Sequence, residues 1–412
     1  MSSVTFTTRG ALRKSALREA NERLVLNTAR RYPNISRPDL ARITGLSASS
    51  ISFIVNRLKQ RNMLVEDAGP SQSHAGRRPT ALRLGGNAAL AVGVEIAPAG
   101  SRIALLNAEG TALRQKVVAW HPGWEIMAER IHGGIRSLLA DPGPGNILGV
   151  GVGLPGSVEK STGRIVAAEN LGWVDAPFGA LVEGRLGLPF YFENNARASA
   201  LAERWFVPPG AQSPQDFVFV MPSGGLGAGI VAGGSLMEGA QGIAGEFGHM
   251  VLHPEGLPCA CGGRGCLEQY ASDRALSRRY QEAAGGELPL PDAVVKLALE
   301  GDPAALRALE ETTAALALGL ANLVWILNPE CIVLGGFAAE AWSIVEEIVA
   351  RVLRARLPLY VRGRLRILPS RHRADSVLLG AASIVFSLFF NSFEQGVESG
   401  HSSAVTITAS GL

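Results

Sequence analysis

Cysteine is scarce in this chain: four residues in 412, too few for a disulfide scaffold, and three of them fall within eight positions. In a reducing compartment such crowding favours a metal over a disulfide. No apolar run reaches the roughly 18 residues of a membrane span. The longest, Ala314–Leu327 and Val377–Phe390, contain Gly, Asn or Ser and read as buried helices. The first thirty residues are studded with arginine and lack both an apolar signal segment and a small-residue cleavage site, so a cytoplasmic location is expected. No segment of about 20–50 residues repeats, which argues against a solenoid or propeller. Charged residues are only 18% of the chain and apolar ones 47%, enough for a large core and incompatible with wholesale disorder.

The net charge of +3 hides an asymmetry. Residues 1–86 carry 15 Lys/Arg against 5 Asp/Glu, and residues 87–412 carry 24 against 31. A strongly basic head on a mildly acidic body suggests a nucleic-acid module joined to something else.

The head reads as helices. Leu24, Val25 and Ala29 recur at helical spacing in a first helix ending near Pro33. Ser36 stands as an N-cap with Pro38, Asp39, Leu40 and Ile43 behind it, and Gly45 closes that second helix. Ser47 caps a third, whose Ile51, Ile54, Val55 and Leu58 form one buried stripe. Its other face shows Ser49, Ser50, Ser52, Asn56, Arg57 and Lys59. A short helix, a Gly turn and a longer helix led by small polar residues is the helix-turn-helix layout, whose second helix enters the major groove. Ser47, Ser49, Ser50, Ser52, Asn56 and Arg57 are therefore the candidate DNA contacts. Met63–Glu66 and Thr80–Leu84 read as two strands of a wing with Arg77 and Arg78 at its tip, suited to a narrow minor groove. The alternative is a small bundle whose arginines only keep it soluble.

From about Gly86 the pattern changes to short β-branched runs ending in glycines and alternating with helical stretches: Ala91–Ile96, Leu148–Gly153, Phe190–Glu193, Phe217–Met221 and Cys331–Leu334. That alternation predicts an α/β body with a substantially parallel sheet. Within it His249 is followed by Cys259, Cys261 and Cys266, and three thiolates with one imidazole form a closed tetrahedral zinc set. With no open position for a catalytic water, such a zinc is structural. His253 is the rival imidazole, and three buried free cysteines the alternative without a metal. Cys331 reads as core.

These residues carry a resemblance that spans almost the whole chain. Gly245-Glu246-Phe247-Gly248-His249, followed by Cys259-Ala260-Cys261-Gly262-Gly263-Arg264-Gly265-Cys266-Leu267-Glu268, resembles the signature of the ROK family (repressors, uncharacterised reading frames and sugar kinases). Gly151–Gly156, Asn170–Trp173, Glu193–Ala198, Gly225–Gly229 and Asn328–Gly336 are similar as well. The resemblance implies an actin-like fold with two ribonuclease H-like lobes. It implies a winged helix-turn-helix at 1–85, a first lobe at 86–200 completed by a helix at about 374–391, a second lobe at 201–373, and a loose tail at 392–412. It places zinc on His249, Cys259, Cys261 and Cys266, and a sugar against Asn194, Asn195, Glu246, His249 and Glu268, with Gly156 and Glu169 as weaker candidates. Carboxylates and amides are natural readers of sugar hydroxyls, which both donate and accept. Glu246 and His249 share a face of any helical turn. The alternative for Glu246 and Glu268 is support of the metal ligands.

Three requirements of the family's kinases fail here. Their catalytic Asp is Asn195, an amide that cannot take a proton as a base. Their first phosphate motif is Glu95-Ile96-Ala97-Pro98-Ala99, without the glycine pair or Thr, and the residue before the second Gly-x-Gly is Gly224 instead of Thr. The expected function is a sugar-responsive transcriptional regulator, a repressor by family precedent and not an enzyme. It would bind operator DNA as a homodimer or homotetramer. The competing readings are a sugar kinase with a DNA-binding head, and a regulator that senses a protein partner or a sugar phosphate.

Overall fold

The computed structural model describes residues 14–68, 80–86, 89–140, 145–184, 186–208 and 213–391. It forms two compact units, one holding the chain to Ala89 together with the chain from Phe386, the other Leu90–Val385.

The first unit begins with α1 (Lys14–Arg31), α2 (Arg37–Thr44) and α3 (Ala48–Gln60). Local signals set the helix ends. Ser36 accepts from the Asp39 amide at 3.2 Å and Ser47 from the Ser50 amide at 3.2 Å, each satisfying an N–H that the helix itself leaves unpaired. Gly45, at φ 71°, closes α2 in the left-handed region, where a Cβ would be strained. Leu40, Ile51, Ile54, Val55 and Leu58 are buried, as are Val25, Leu26 and Ala29 of α1. Leu24 departs from expectation: it is exposed, and its neighbour Leu26 turns inward. Strands β1 (Leu64–Ala68) and β2 (Thr80–Leu84) pair antiparallel, and the Leu82 amide donates to the Ile35 carbonyl at 2.9 Å. The expected wing tip, with Arg77 and Arg78, lies outside the described residues.

Two carboxylates pin four basic side chains of this unit. Glu22, buried in α1, meets Arg57 at 3.0 Å and Arg61 at 3.2 Å. Glu66 meets Arg37 at 2.7 Å and also Lys59. The Lys59 ammonium, and then the Arg37 guanidinium, hold the Glu66 carboxyl below the usual carboxylate range.

The second unit contains two five-stranded sheets with one strand order. In the first, β3 (Leu90–Glu95), β4 (Ser101–Asn107) and β5 (Ala112–Val118) form an antiparallel meander followed by α4 (Trp124–Leu139). Strand β6 (Ile147–Leu154) then pairs parallel to β3. A small antiparallel sheet of β7 (Ser157–Glu159), β8 (Arg164–Ala168) and β9 (Trp173–Ala176) and helix α5 (Phe178–Glu183) precede β10 (Phe190–Asn194), parallel to β6, and α6 (Asn195–Trp205). The second sheet repeats the plan. Its meander is β11 (Phe217–Pro222), β12 (Leu226–Ala232) and β13 (Ser235–Leu236). The helices α7 (Glu268–Ala271), α8 (Asp273–Ala284), α9 (Pro291–Leu299) and α10 (Pro303–Leu327) follow. Strand β14 (Cys331–Leu334), helices α11 (Gly336–Glu340), α12 (Trp342–Arg356) and α13 (Leu359–Arg362), and β15 (Arg366–Pro369) complete it, with β14 and β15 parallel. The orders β5-β4-β3-β6-β10 and β13-β12-β11-β14-β15 are the same, a ribonuclease H-like arrangement built twice.

Helix α10 reads as an apolar run because its sides are buried in the core of the second sheet, through Leu309, Leu316, Leu320 and Val324 among others. The last helix, α14 (Ser376–Asn391), lies directly on β3 and β6 over its first turns. A Cβ at Gly151 would sit 1.8 Å from the Ala381 carbonyl oxygen, and one at Gly153 2.6 Å from Val377 Cγ1. Gly151 and Gly153 are thus explained by helix-to-sheet contact, whereas Gly156, at φ 95°, is required by the Ala167 carbonyl of β8, 2.2 Å from where a Cβ would stand.

Two consequences are measurable. Gly151→Ala should destabilise the second unit by about 3 kcal/mol or more, since backbone must move to admit the methyl. Urea unfolding reads this directly, and an unchanged midpoint would contradict the contact. Glu22→Gln should cost the first unit about 1–2 kcal/mol, the arginines being partly solvated. Faster amide exchange in α1–α3 is the expected signature.

Candidate functional site

On the first unit the candidate DNA-reading surface is the outer face of α3. Ser47, Ser49 and Asn56 are exposed, whereas Ser50 and Ser52 are half-buried. The serines bond one another, Ser47 Oγ lying 3.0 Å from Ser49 Oγ and 2.9 Å from Ser50 Oγ. Arg37 donates to Asn56 Oδ1 at 2.9 Å. Arg57 does not join this face freely, because its guanidinium turns to Glu22. Phe53, which the pattern reading passed over, is 59% exposed one turn beyond Ser49, with the Arg18 guanidinium 6.0 Å from its ring centroid.

On the second unit Glu246, His249, Glu268 and the three clustered cysteines gather around one turn, whereas Asn195 is not among the residues lining the cleft beside it. Gly245 has φ 99°, and a Cβ there would lie 2.0 Å from the Ala228 carbonyl oxygen, so only glycine lets the chain run so close to β12. Phe247 is buried, and Gly319 of α10 makes room for its ring. Anchored on both sides, the 3₁₀ turn Phe247–His249 sets Glu246 and His249 on one face, with Glu246 Oε2 3.7 Å from His249 Nε2. The other ring nitrogen, Nδ1, lies 3.7 Å from Cys259 Sγ.

The thiols of Cys259, Cys261 and Cys266 and the His249 imidazole present ligand atoms that all lie within 4.8 Å of one another, an arrangement able to hold a metal ion. Gly265, at φ 69°, brings this loop so near His253 that a Cβ would overlap its carbonyl oxygen. His253 itself packs edge-on against Tyr270, with centroids 4.8 Å apart, and is not one of the four. Burial, reinforced by the neighbouring thiols, pushes the Cys266 thiol up to about 12. The Gly263 backbone amide, in contrast, draws Cys261 down.

Beside this turn a cleft is lined by Gly156, Ser157, Asn194, Arg197 and Glu246, among others. Asn194 is committed to the backbone: its Oδ1 caps α6 at the Ala196 and Arg197 amides, and its Nδ2 donates to the Gly156 carbonyl at 3.1 Å. Asn195 opens α6, with Oδ1 2.8 Å from the Ala196 amide. Glu268 accepts from the Leu226 amide at 3.1 Å, and a Cβ on Gly225 would fall 2.8 Å from its Oε2 and 3.0 Å from the Asn170 amide nitrogen. Burial raises the Glu246 carboxyl, His249 opposes that shift, and Glu169 and Glu268 add to it, so the three carboxylates are within electrostatic reach.

Sequence reasoning missed Arg197. It is buried, faces Glu193 at 2.9 Å, and donates through Nη1 to the Gly242 carbonyl at 2.9 Å. Its Nη2 has no partner among the described residues. Lys160 completes the group by bridging Glu193 at 2.6 Å and Glu238 at 2.7 Å. An Ala-Arg pair after the Asn residues was the only signal in the sequence, and on its own it reads as an exposed helical face.

The β3–β4 turn, which carries a phosphate motif in the family's kinases, is spanned by side-chain ion pairs. Arg102 donates to Glu95 Oε2 at 2.6 Å and to Asp375 Oδ1 at 2.6 Å.

Residues 91–387 match the model of the ROK family, and residues 18–65 match a winged helix-turn-helix DNA-binding model. The chain is 30% identical to the xylose repressor of Caldicellulosiruptor bescii, over 90% of this chain and 96% of that protein. It is 29% identical to the xylose repressor of Bacillus subtilis, over 91% and 97%. The glucokinase of Thermotoga maritima is 33% identical but aligns with only 57% of this chain. Among solved structures, a ROK family transcriptional regulator described as a homologue of the E. coli Mlc protein superposes with a TM-score of 0.74 at 24% identity, over 93% of this chain and all of that one. A Streptomyces griseus ROK glucokinase solved with glucose and AMPPNP gives 0.65 at 29% identity, over 72% of this chain and 98% of that one. With a family match across the body and near full-length relatives that share the head, this chain belongs to the ROK family.

Proposed function

We propose that this protein is a cytoplasmic, sugar-responsive repressor that binds operator DNA through its winged helix-turn-helix and does not phosphorylate its ligand. The observation that carries the reading is Asn195. In the family's kinases this position needs a proton acceptor for the attacking hydroxyl, and an amide holds a hydroxyl without accepting its proton. The Glu95–Arg102–Asp375 ion pairs support the same conclusion, since they hold together the two strands flanking the loop from which a nucleotide phosphate would be bound. Relatives named xylose repressors make xylose the first sugar to test.

The proposed sugar site joins Glu246, His249 and Glu268 to Asn194, Asn195, Gly156 and Glu169. The free Nη2 of Arg197 offers a further donor to a sugar oxygen. Asn194, spent on capping, acts by holding Gly156 and α6 in register.

Zinc fits the His249, Cys259, Cys261 and Cys266 set. Thiolates at about 2.3 Å from a tetrahedral zinc lie about 3.8 Å apart, and Cys261 and Cys266 Sγ are 3.7 Å apart. A dication would also offset the burial, and then the neighbouring thiols, that raise the Cys266 thiol. With four protein ligands the metal has no open position, so its contribution is to hold the His249 ring and thereby Glu246. Bound sugar would favour one arrangement of a homodimer or homotetramer and so shift the spacing of two heads whose half-sites lie about 34–36 Å apart.

Metal analysis of purified protein should find one zinc per chain. Cys261→Ser or a strong chelator should remove it, lower the thermal midpoint by several degrees and abolish sugar stabilisation. In an anisotropy titration with operator duplex, a saturating cognate sugar should weaken binding about tenfold. Affinity indifferent to xylose and every other sugar tried would refute the switch. A phosphorylated sugar formed with ATP and magnesium would refute the non-enzymatic reading.

A further inference from the structure

The base-facing side of α3 carries less charge than its composition suggests. Arg57 is held by Glu22, and Arg37 and Lys59 are held by Glu66. Among the described α3 residues, the large apolar side chain left standing on the outer face is Phe53, 59% exposed. It lies one helical turn beyond Ser49 and about one turn before Asn56, on the N-terminal half of the helix that enters the major groove in this motif.

An aromatic ring of that size costs solvation when left in water, and burial of each methylene-sized group recovers about 0.8 kcal/mol. The head is strongly basic, and Arg18 stands 6.0 Å from the Phe53 centroid. A cation beside the ring complements a polyanion better than it complements an apolar protein face. In the major groove the apolar feature that distinguishes one base pair from the others is the thymine C5-methyl.

We infer that Phe53 is a specificity-determining residue that packs against a thymine methyl of the operator, flanked by polar contacts from Ser49 and Asn56. The inference rests on the DNA-binding reading of the head. It makes thymine at one position of each half-site a requirement of shape, which no hydrogen bond from Phe53 enforces.

The full-length protein is first used to select binding sites from a randomised duplex library. In the selected site each thymine is then replaced in turn by deoxyuracil, which removes only the methyl. One replacement per half-site should weaken binding about three- to tenfold. Phe53→Ala should bind the parent site more weakly by a similar factor and be indifferent to the same replacement, while Phe53→Leu keeps part of the discrimination. The side chain is exposed, so both variants should melt with the wild type. If every replacement is tolerated, or Phe53→Ala keeps the wild-type discrimination, the inference fails while DNA binding stands. If wild-type protein enriches no sequence, the DNA-binding reading falls and takes this inference with it. If Phe53→Ala changes only the oligomeric state, the residue belongs to a protein interface and the inference is overturned.

Discussion

The imidazole of His249 divides its two nitrogens between two neighbourhoods. Nδ1 points to Cys259 among the thiols, and Nε2 points to the Glu246 carboxylate at the cleft. An imidazole is rigid and planar, so whatever fixes one nitrogen fixes the direction offered by the other. The rest of the region is arranged around that ring. Gly245 lets the turn press against β12, Phe247 is anchored at Gly319, and Gly265 allows the cysteine loop to close beneath it. Each of these places backbone where a side chain would collide, which is why the segment is rich in glycine without being loose.

Several charges near both candidate sites are paired internally. In the first unit Glu22 and Glu66 together hold Arg37, Arg57, Lys59 and Arg61. In the second, Arg102 joins Glu95 to Asp375, and Arg197 and Lys160 meet Glu193. The basic head is therefore not a uniform cationic surface. Its helix α3 presents small hydroxyls, the amides of Asn56 and Gln60 and one aromatic ring, and contacts to phosphates must come from cations outside these pairs.

Architecture and chemistry separate clearly. Two sheets with one strand order are shared with the sugar kinases of the family. On the function proposed above, what distinguishes this chain lies at the strand ends, where an amide stands at residue 195 and an ion pair spans the loop after β3. A fold that supports phosphotransfer in its relatives needs only a few such replacements to become a receptor, because the binding groups and the proton acceptor are different side chains.

Features governed by neighbours in the chain were legible from the sequence alone. The caps at Ser36 and Ser47, the left-handed Gly45, the stripe from Ile51 to Leu58 and the cysteine spacing all depend on residues within a dozen positions. The meander strands β4 and β5, the short edge strand β13 and the small β7–β9 sheet were not legible, since their pairing is set by the partner strand and not by a local apolar run. Only tertiary structure decided that Leu24 faces water while Leu26 is buried, that Arg57 belongs to Glu22 thirty-five positions away, and that Arg197 faces a cleft. Helical periodicity defines an apolar stripe to within a residue or so, but a charged side chain's partner is chosen by the surfaces that packing brings together, and no local pattern encodes that choice.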